Sequence, residues 1–195
     1  MLSDLLQIVP LQRLHMVKNQ LTDTQAAPLA TSLSKTKDLK SVYMSHNKIS
    51  NEALVMLADA LALNEGIEEI SLTHNDLSLP NGVKLLQAFK KMPNLQKLSL
   101  NSCNLDSDLL EVLSDSLVGK EKLTDLNLYS NDINSEGAKV IAGLLKDKFN
   151  LKCLGLSNNY IGHGGAREIA SVCQESLFGL QRLSLESNLI GNIGL

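Results

Sequence analysis

The sequence predicts an α/β fold of a particular kind: a curved solenoid, a horseshoe segment, with parallel β-strands on its concave face and α-helices on its convex face. Three observations carry this. One pattern recurs seven times: leucine-like, two residues, leucine-like, one residue, leucine-like, two residues, Asn, one residue, Leu or Ile. The copies begin at Leu11, Leu39, Ile67, Leu95, Leu123, Leu151 and Leu180, 28 residues apart up to Leu151 and 29 apart at the end. Inside each copy the apolar spacing switches from alternation to a helical period. No Pro/Gly/Ser-rich linker interrupts residues 1–195, so a length that could hold two domains reads as one continuous array.

The first half of each unit is a short strand. Counting from the first leucine, positions 3 to 7 alternate outward and inward, with positions 4 and 6 facing the core. In the fifth unit the inward residues are Leu126 and Leu128. The Asn at position 9 ends the strand, where its amide can satisfy backbone groups of the turn and stack on the Asn of the next unit. Cys103 takes that place in the fourth unit.

The second half is a helix. Ala138, Ile141, Ala142 and Leu145 fall at i, i+3, i+4 and i+7, as do Leu54, Leu57, Ala58 and Leu61; Leu110, Leu113 and Leu117 continue the theme. Ser50-Asn51, Asp106-Ser107 and Asn134-Ser135 are N-cap candidates. Pro80 suits the first turn of the third helix. Pro28 sits late for a helix start, which predicts a shortened or displaced first helix.

One unit is not stable alone. About eight core side chains contribute ~1.5–3 kcal/mol each. Ordering the backbone costs roughly 1–2 kcal/mol per residue over the whole unit. Stacking neighbours must supply the difference. The ends read as unfinished on this logic. Met1 to Leu6 resembles the last turns of a preceding helix, and Leu185, Ile190, Ile193 and Leu195 would meet water. The expectation is a fragment with uncapped ends, continued by further repeats in a longer chain or closed by end-to-end self-association.

These repeats resemble the leucine-rich repeats, and the 28/29-residue period with a helix in every unit resembles their ribonuclease-inhibitor-like class. Leu156 through Gly162 with Gly165-Ala166 and Ile169-Ala170, and Leu128 through Leu145 with Glu136-Gly137-Ala138, carry the likeness. The class includes ribonuclease inhibitors, the sensor ends of NOD-like receptors, Ran GTPase-activating proteins and cytoskeletal and ciliary components, so the resemblance implies a fold far more than a function. Departures narrow it. Three Cys and no Trp are unlike the cysteine-rich ribonuclease inhibitors; no long acidic tail is seen, nor a G-x-x-x-x-G-K-[ST] motif.

A net charge of -3 and a pI near 5.8 argue against nucleic-acid binding. No apolar run is long enough to span a membrane. An odd cysteine count, with neither the cysteine-paired caps that secreted relatives resemble one another in carrying nor an N-x-[ST] site, favours the cytoplasm.

The concave columns are where binding is expected. Column 3 reads Arg13, Ser41, Glu69, Lys97, Asp125, Cys153, Arg182; column 5 reads His15, Tyr43, Ser71, Ser99, Asn127, Gly155, Ser184; column 7 reads Val17, Ser45, Thr73, Asn101, Tyr129, Ser157, Glu186. The floor is small and polar, the charges mixed. Tyr43 and Tyr129 are the candidate anchors, three repeats or roughly 15 Å apart. With His15, Ser71, Asn101, Asn127, Glu69, Lys97 and Asp125 they form the expected partner-binding set. His46 and His74 share position 8 and could ligate a metal only with His15 or Asp76 added, so they read as solvated rim residues, and His163 as structural. Neither a catalytic constellation nor a cofactor motif is present: G-x-S-x-G, H-E-x-x-H and Cys-x-x-Cys are all missing. Cys173 reads as an inert core thiol and Cys153 as a concave-side thiol without a flanking His. Lys90-Lys91 and Lys146-Asp147-Lys148 read as solvated surface.

The leading expectation is therefore a non-enzymatic interaction scaffold that binds a protein on its concave face. The alternatives implied by the resemblance are a GTPase-activating protein like the Ran activators and the ligand-sensing region of a NOD-like receptor.

Overall fold

A computed structural model describes residues 10–47, 49, 51–78, 81–146, 150–176 and 179–191. Strands and helices alternate in strict order: β1 (Arg13–His15), α1 (Asp23–Leu33), β2 (Ser41–Tyr43), α2 (Asn51–Leu61), β3 (Glu69–Ser71), α3 (Asn81–Ala88) followed by a 3₁₀ turn (Phe89–Lys91), β4 (Lys97–Ser99), α4 (Ser107–Leu117), β5 (Asp125–Asn127), α5 (Ser135–Leu145), β6 (Cys153–Gly155), α6 (Gly162–Ser176) and β7 (Arg182–Ser184). The strands form one parallel sheet in sequence order. Equivalent residues pair across it without a slip, Arg13 with Ser41 and onward to Cys153 with Arg182. The period in the sequence is thus the register of the sheet.

The core lies between sheet and helices. Val42, Ile70, Leu98, Leu126 and Leu154 point inward from the strands and are buried, as are Met44, Leu72, Leu100, Leu128 and Leu156 two residues on. Leu54, Leu57, Leu110, Leu113, Ile141 and Leu145 meet them from the helices. Gly165 lets α6 approach α5 closely: a Cβ there would lie 2.6 Å from Ala138 Cβ. Among the described residues no helix is long and apolar enough to cross a membrane.

Asp106 and Asn134 cap α4 and α5 as expected, Asp106 Oδ1 accepting from Leu109 N–H at 3.0 Å and Asn134 Oδ1 from Glu136 N–H at 2.9 Å. Pro28 does not shorten α1, which has the same 11 residues as α2, α4 and α5. Pro28 forfeits a single backbone bond inside that helix, and burial of Ala26, Leu29, Ala30 and Leu33 outweighs the loss. Leu185 and Ile190 also differ from expectation: both are partly buried against the core, while Leu183 and Leu189 are the exposed apolar residues of the last unit. Ser50, Pro80, Asp147, Lys148, Ile193, Leu195 and residues 1–6 lie outside the described residues.

The strand-ending Asn does more than close its own turn. Asn131 Nδ2 donates to Leu128 O in its own repeat and to Leu100 O in the preceding one, both at 2.9 Å. Its Oδ1 accepts from Cys103 N–H at 2.9 Å and Leu105 N–H at 3.1 Å. Asn47 and Asn159 repeat this arrangement. The amide therefore bridges to the backbone of the previous unit rather than stacking on a neighbouring Asn. Cys103 keeps half of the role. Its thiol reaches Leu72 O and Asn101 O at 3.4 Å, but it has no acceptor oxygen, so Leu77 N–H donates to the Cys103 carbonyl at 3.0 Å instead.

Position 8, just before this Asn, has a left-handed backbone in all seven units: Lys18, His46, His74, Ser102, Ser130, Asn158 and Ser187, with φ between 51 and 58°. The backbone N–H there is already committed to the next strand, as in His46 N–H to Thr73 O at 2.8 Å. The ladder over-determines a conformation that L-residues otherwise avoid.

Replacing Asn131 by Ala should leave up to four buried backbone groups without partners and lower stability by about 3 kcal/mol. Asn19→Ala, whose exposed amide donates to Val17 O alone among the described residues, should lower it by less than about 1 kcal/mol. Urea denaturation of both variants checks this.

Candidate functional site

Strand alternation puts columns 3, 5 and 7 on the outer face of the sheet, and register turns each into a row running across all seven strands. At the N-terminal end these residues are tied together. His15 and Tyr43 stack with ring centroids 4.4 Å apart. The Tyr43 hydroxyl donates to the Glu69 carboxylate, whose other oxygen lies 3.1 Å from Lys97 Nζ. The result is a chain, His15–Tyr43–Glu69–Lys97, over four strands. The Tyr43 hydrogen bond first, then Lys97, hold the Glu69 carboxyl below its ordinary value. Burial and the same carboxylate push the Tyr43 phenol up.

The other half of the face is more open. Tyr129 is 45% exposed, and its backbone N–H donates to Asn101 Oδ1 at 3.0 Å. Gly155 has no side chain in the middle column, and the Asn127 amide leans into that space; a Cβ on Gly155 would lie 2.4 Å from Asn127 Oδ1. A groove of about 770 Å³ follows the face from Tyr43 on β2 to Ser184 on β7.

Eight of the nine expected partner-binding residues line it: Tyr43, Glu69, Ser71, Lys97, Asn101, Asp125, Asn127 and Tyr129. His15 does not, being stacked behind Tyr43. In register Tyr43 lies opposite Ser71, Ser99 and Asn127, two residues short of Tyr129, so the two tyrosines stand on a diagonal of about 16 Å. The expected set stopped at the fifth repeat. The groove continues over Cys153, Gly155, Ser157, Arg182 and Glu186, which were visible in the same three columns.

Mixed charge is realised as alternation. Lys97 pairs with Glu69, and Asp125 lies between Lys97 and Arg182 in column 3, accepting from Thr124 Oγ1 at 2.7 Å. Glu186 accepts from the Ser157 hydroxyl, which holds its carboxyl below the ordinary value. Among the described residues neither Arg182 nor Glu186 forms an ion pair.

His46 and His74 stack at 4.0 Å on the exposed rim, with their planes 23° apart. Rings face to face do not aim two in-plane nitrogens at one ion. Asp76 is engaged with Ser78 N–H and Asn104 Nδ2, each at 3.0 Å. No group of three or more metal-ligating side chains converges among the described residues. Desolvation in the stack, then the His74 and Lys18 charges, push the His46 imidazole down. His163 lies in the first turn of α6. The thiols are quiet. Burial pushes Cys103 up to about 12, and raises Cys153, with Asp125 adding to it, and Cys173, which is half-buried.

The fold and the face define a leucine-rich repeat solenoid. The sequence profile described as "Leucine Rich repeat" matches residues 37–58 and 119–142, each beginning just before the second and fifth units and running into their helices. Among solved structures, the chain is similar to the tropomodulin C-terminal domain of Caenorhabditis elegans, with 18% identity and a TM-score of 0.60 over 78% of this chain and 92% of that one. It is also similar to an internalin of Listeria monocytogenes, with 19% identity and a TM-score of 0.56 over 99% of this chain; the chain spans 60% of that protein. No curated protein matches it.

Two measurements follow. Tyr43→Phe should raise the Glu69 pKa toward its ordinary 4.5, read by carboxyl NMR titration. A depressed folded pKa contributes stability above the unfolded value, lost as pH falls through the folded one, so the variant should lose less stability than the parent on acidification below 4.5. Separately, Cys103 should resist iodoacetamide at pH 7.5 until the chain is unfolded, because its thiolate is not populated there.

Proposed function

We propose that this protein is a non-enzymatic scaffold that binds a protein partner in its concave groove. The carrying observation is the groove itself: about 770 Å³ over β2 to β7, floored by small polar side chains, with Tyr129, Arg182 and Glu186 exposed. Solenoids of this class use their concave surface for recognition, and the resemblance to the ribonuclease-inhibitor-like class agrees with that use. Tyr43, braced by His15 and Glu69, is pre-organised, so binding need not order it. Exposed aromatic and arginine residues on a polar floor are the usual energetic anchors of such contacts.

Capture from native cell extract tests this, with Tyr129→Ala/Arg182→Ala beside the parent and Glu111→Ala on the helical side as control. At roughly 2 kcal/mol per anchor, each groove substitution should weaken partner binding about 30-fold, while Glu111→Ala leaves it unchanged. A partner bound equally well by the groove variant moves the site off the concave face.

A further inference from the structure

We propose that the C-terminal end of the groove takes a basic side chain of the partner, a lysine ammonium or an arginine guanidinium, between the Tyr129 ring and the Glu186 carboxylate. This rests on the concave face being the partner surface, and names what that surface selects.

Tyr129 and Glu186 occupy the same outward column, two strands apart, with Ser157 between them. At ~4.8 Å per strand step their backbones stand about 10 Å apart. Side chains rising from backbones that far apart leave room for one cationic head group between them, and an aromatic face attracts a cation within about 6 Å of its centroid. The carboxylate is then in reach on its other side. The groove stays open along this column, where Ser157 is small and buried; the Asn127 amide, which takes the place over Gly155, borders it. The Glu186 carboxylate is held by the Ser157 hydroxyl, and the backbone that carries the Tyr129 ring is held by its N–H on Asn101 Oδ1.

Charge makes this corner acidic while the rest of the face is balanced. Glu69 is neutralised by Lys97 at 3.1 Å, and Asp125 sits between Lys97 and Arg182 in column 3. Arg182 precedes Glu186 by four residues along an extended segment, so about 13 Å separates them and the two do not pair with each other. Glu186 is exposed, and its Ser157 hydrogen bond keeps it ionised. A neutral group placed there would gain neither the ring's quadrupole nor the carboxylate's charge; an anion would meet Glu186.

A random peptide display library selected on the full chain is the test. The expected result is a set of binders sharing one basic residue at a fixed place. Their affinity should fall roughly tenfold on Tyr129→Ala and on Glu186→Gln, and stay near parental on Tyr129→Phe. Glu186→Lys should turn the selected residue acidic. Glu186→Gln keeps an acceptor for Ser157, so its effect reads charge and not folding. Groove binders sensitive to Lys97→Ala or Arg182→Ala but without a shared basic residue would overturn the cation assignment and leave the concave site standing. Binders indifferent to every groove substitution would overturn both.

Discussion

The stack depends on a buried amide that recurs in five of its seven repeats, at Asn47, Asn75, Asn131, Asn159 and Asn188. A strand–turn–helix unit cannot bury enough apolar surface to order itself, so it must be joined to a neighbour. The strand-ending Asn makes that joint polar and specific. Its two amide protons bind carbonyls in its own repeat and the one before, and at Asn47, Asn131 and Asn159 its oxygen gathers two N–H groups of that earlier repeat. Hydrophobic stacking alone would tolerate sliding. A buried amide with four backbone partners does not, because any other register leaves several of those groups unsatisfied. The left-handed residue before each Asn follows from the same constraint: the chain must leave the strand sharply enough to deliver the amide inward.

Register, once set, builds the outer face. Residues 28 apart in sequence become neighbours about 4.8 Å apart in space, so a column of the repeat is a physical row. The chain His15–Tyr43–Glu69–Lys97 exists because four successive units place a ring, a phenol, an acid and a base along adjacent rows. The same rule leaves Glu186 and Arg182 without an ion pair among the described residues, since they sit four residues apart along one repeat rather than side by side on two. The N-terminal half of the groove is tied together by its own contacts, while its C-terminal half keeps Tyr129, Arg182 and Glu186 exposed.

Departures from the repeat are informative for the same reason. Cys103 supplies a donor where Asn supplies donor and acceptor, and the backbone compensates with a carbonyl. Pro28 costs α1 one hydrogen bond and no length, because four buried apolar residues hold that helix against its neighbours. Gly165 trades helix propensity for close approach to Ala138.

The sequence by itself determined the solenoid: strand, turn and helix positions, the parallel order of the sheet, the core, and the outward columns from which the candidate site is drawn. Those follow from periodicity, and periodicity is a property of the chain. It also named eight of the residues lining the groove, because a column index is enough to say that a residue faces outward. Tertiary structure decided which outward residues act together. Nothing in the composition says that His15 is spent on Tyr43, that the Asn127 amide lies over Gly155, or that the groove runs on to Arg182 and Glu186. Nor do Ser, His and Lys at position 8 announce a left-handed backbone in the way Gly would. These are outcomes of side-chain reach across adjacent strands and of hydrogen bonds between units, and they exist only once seven short repeats have been stacked in register.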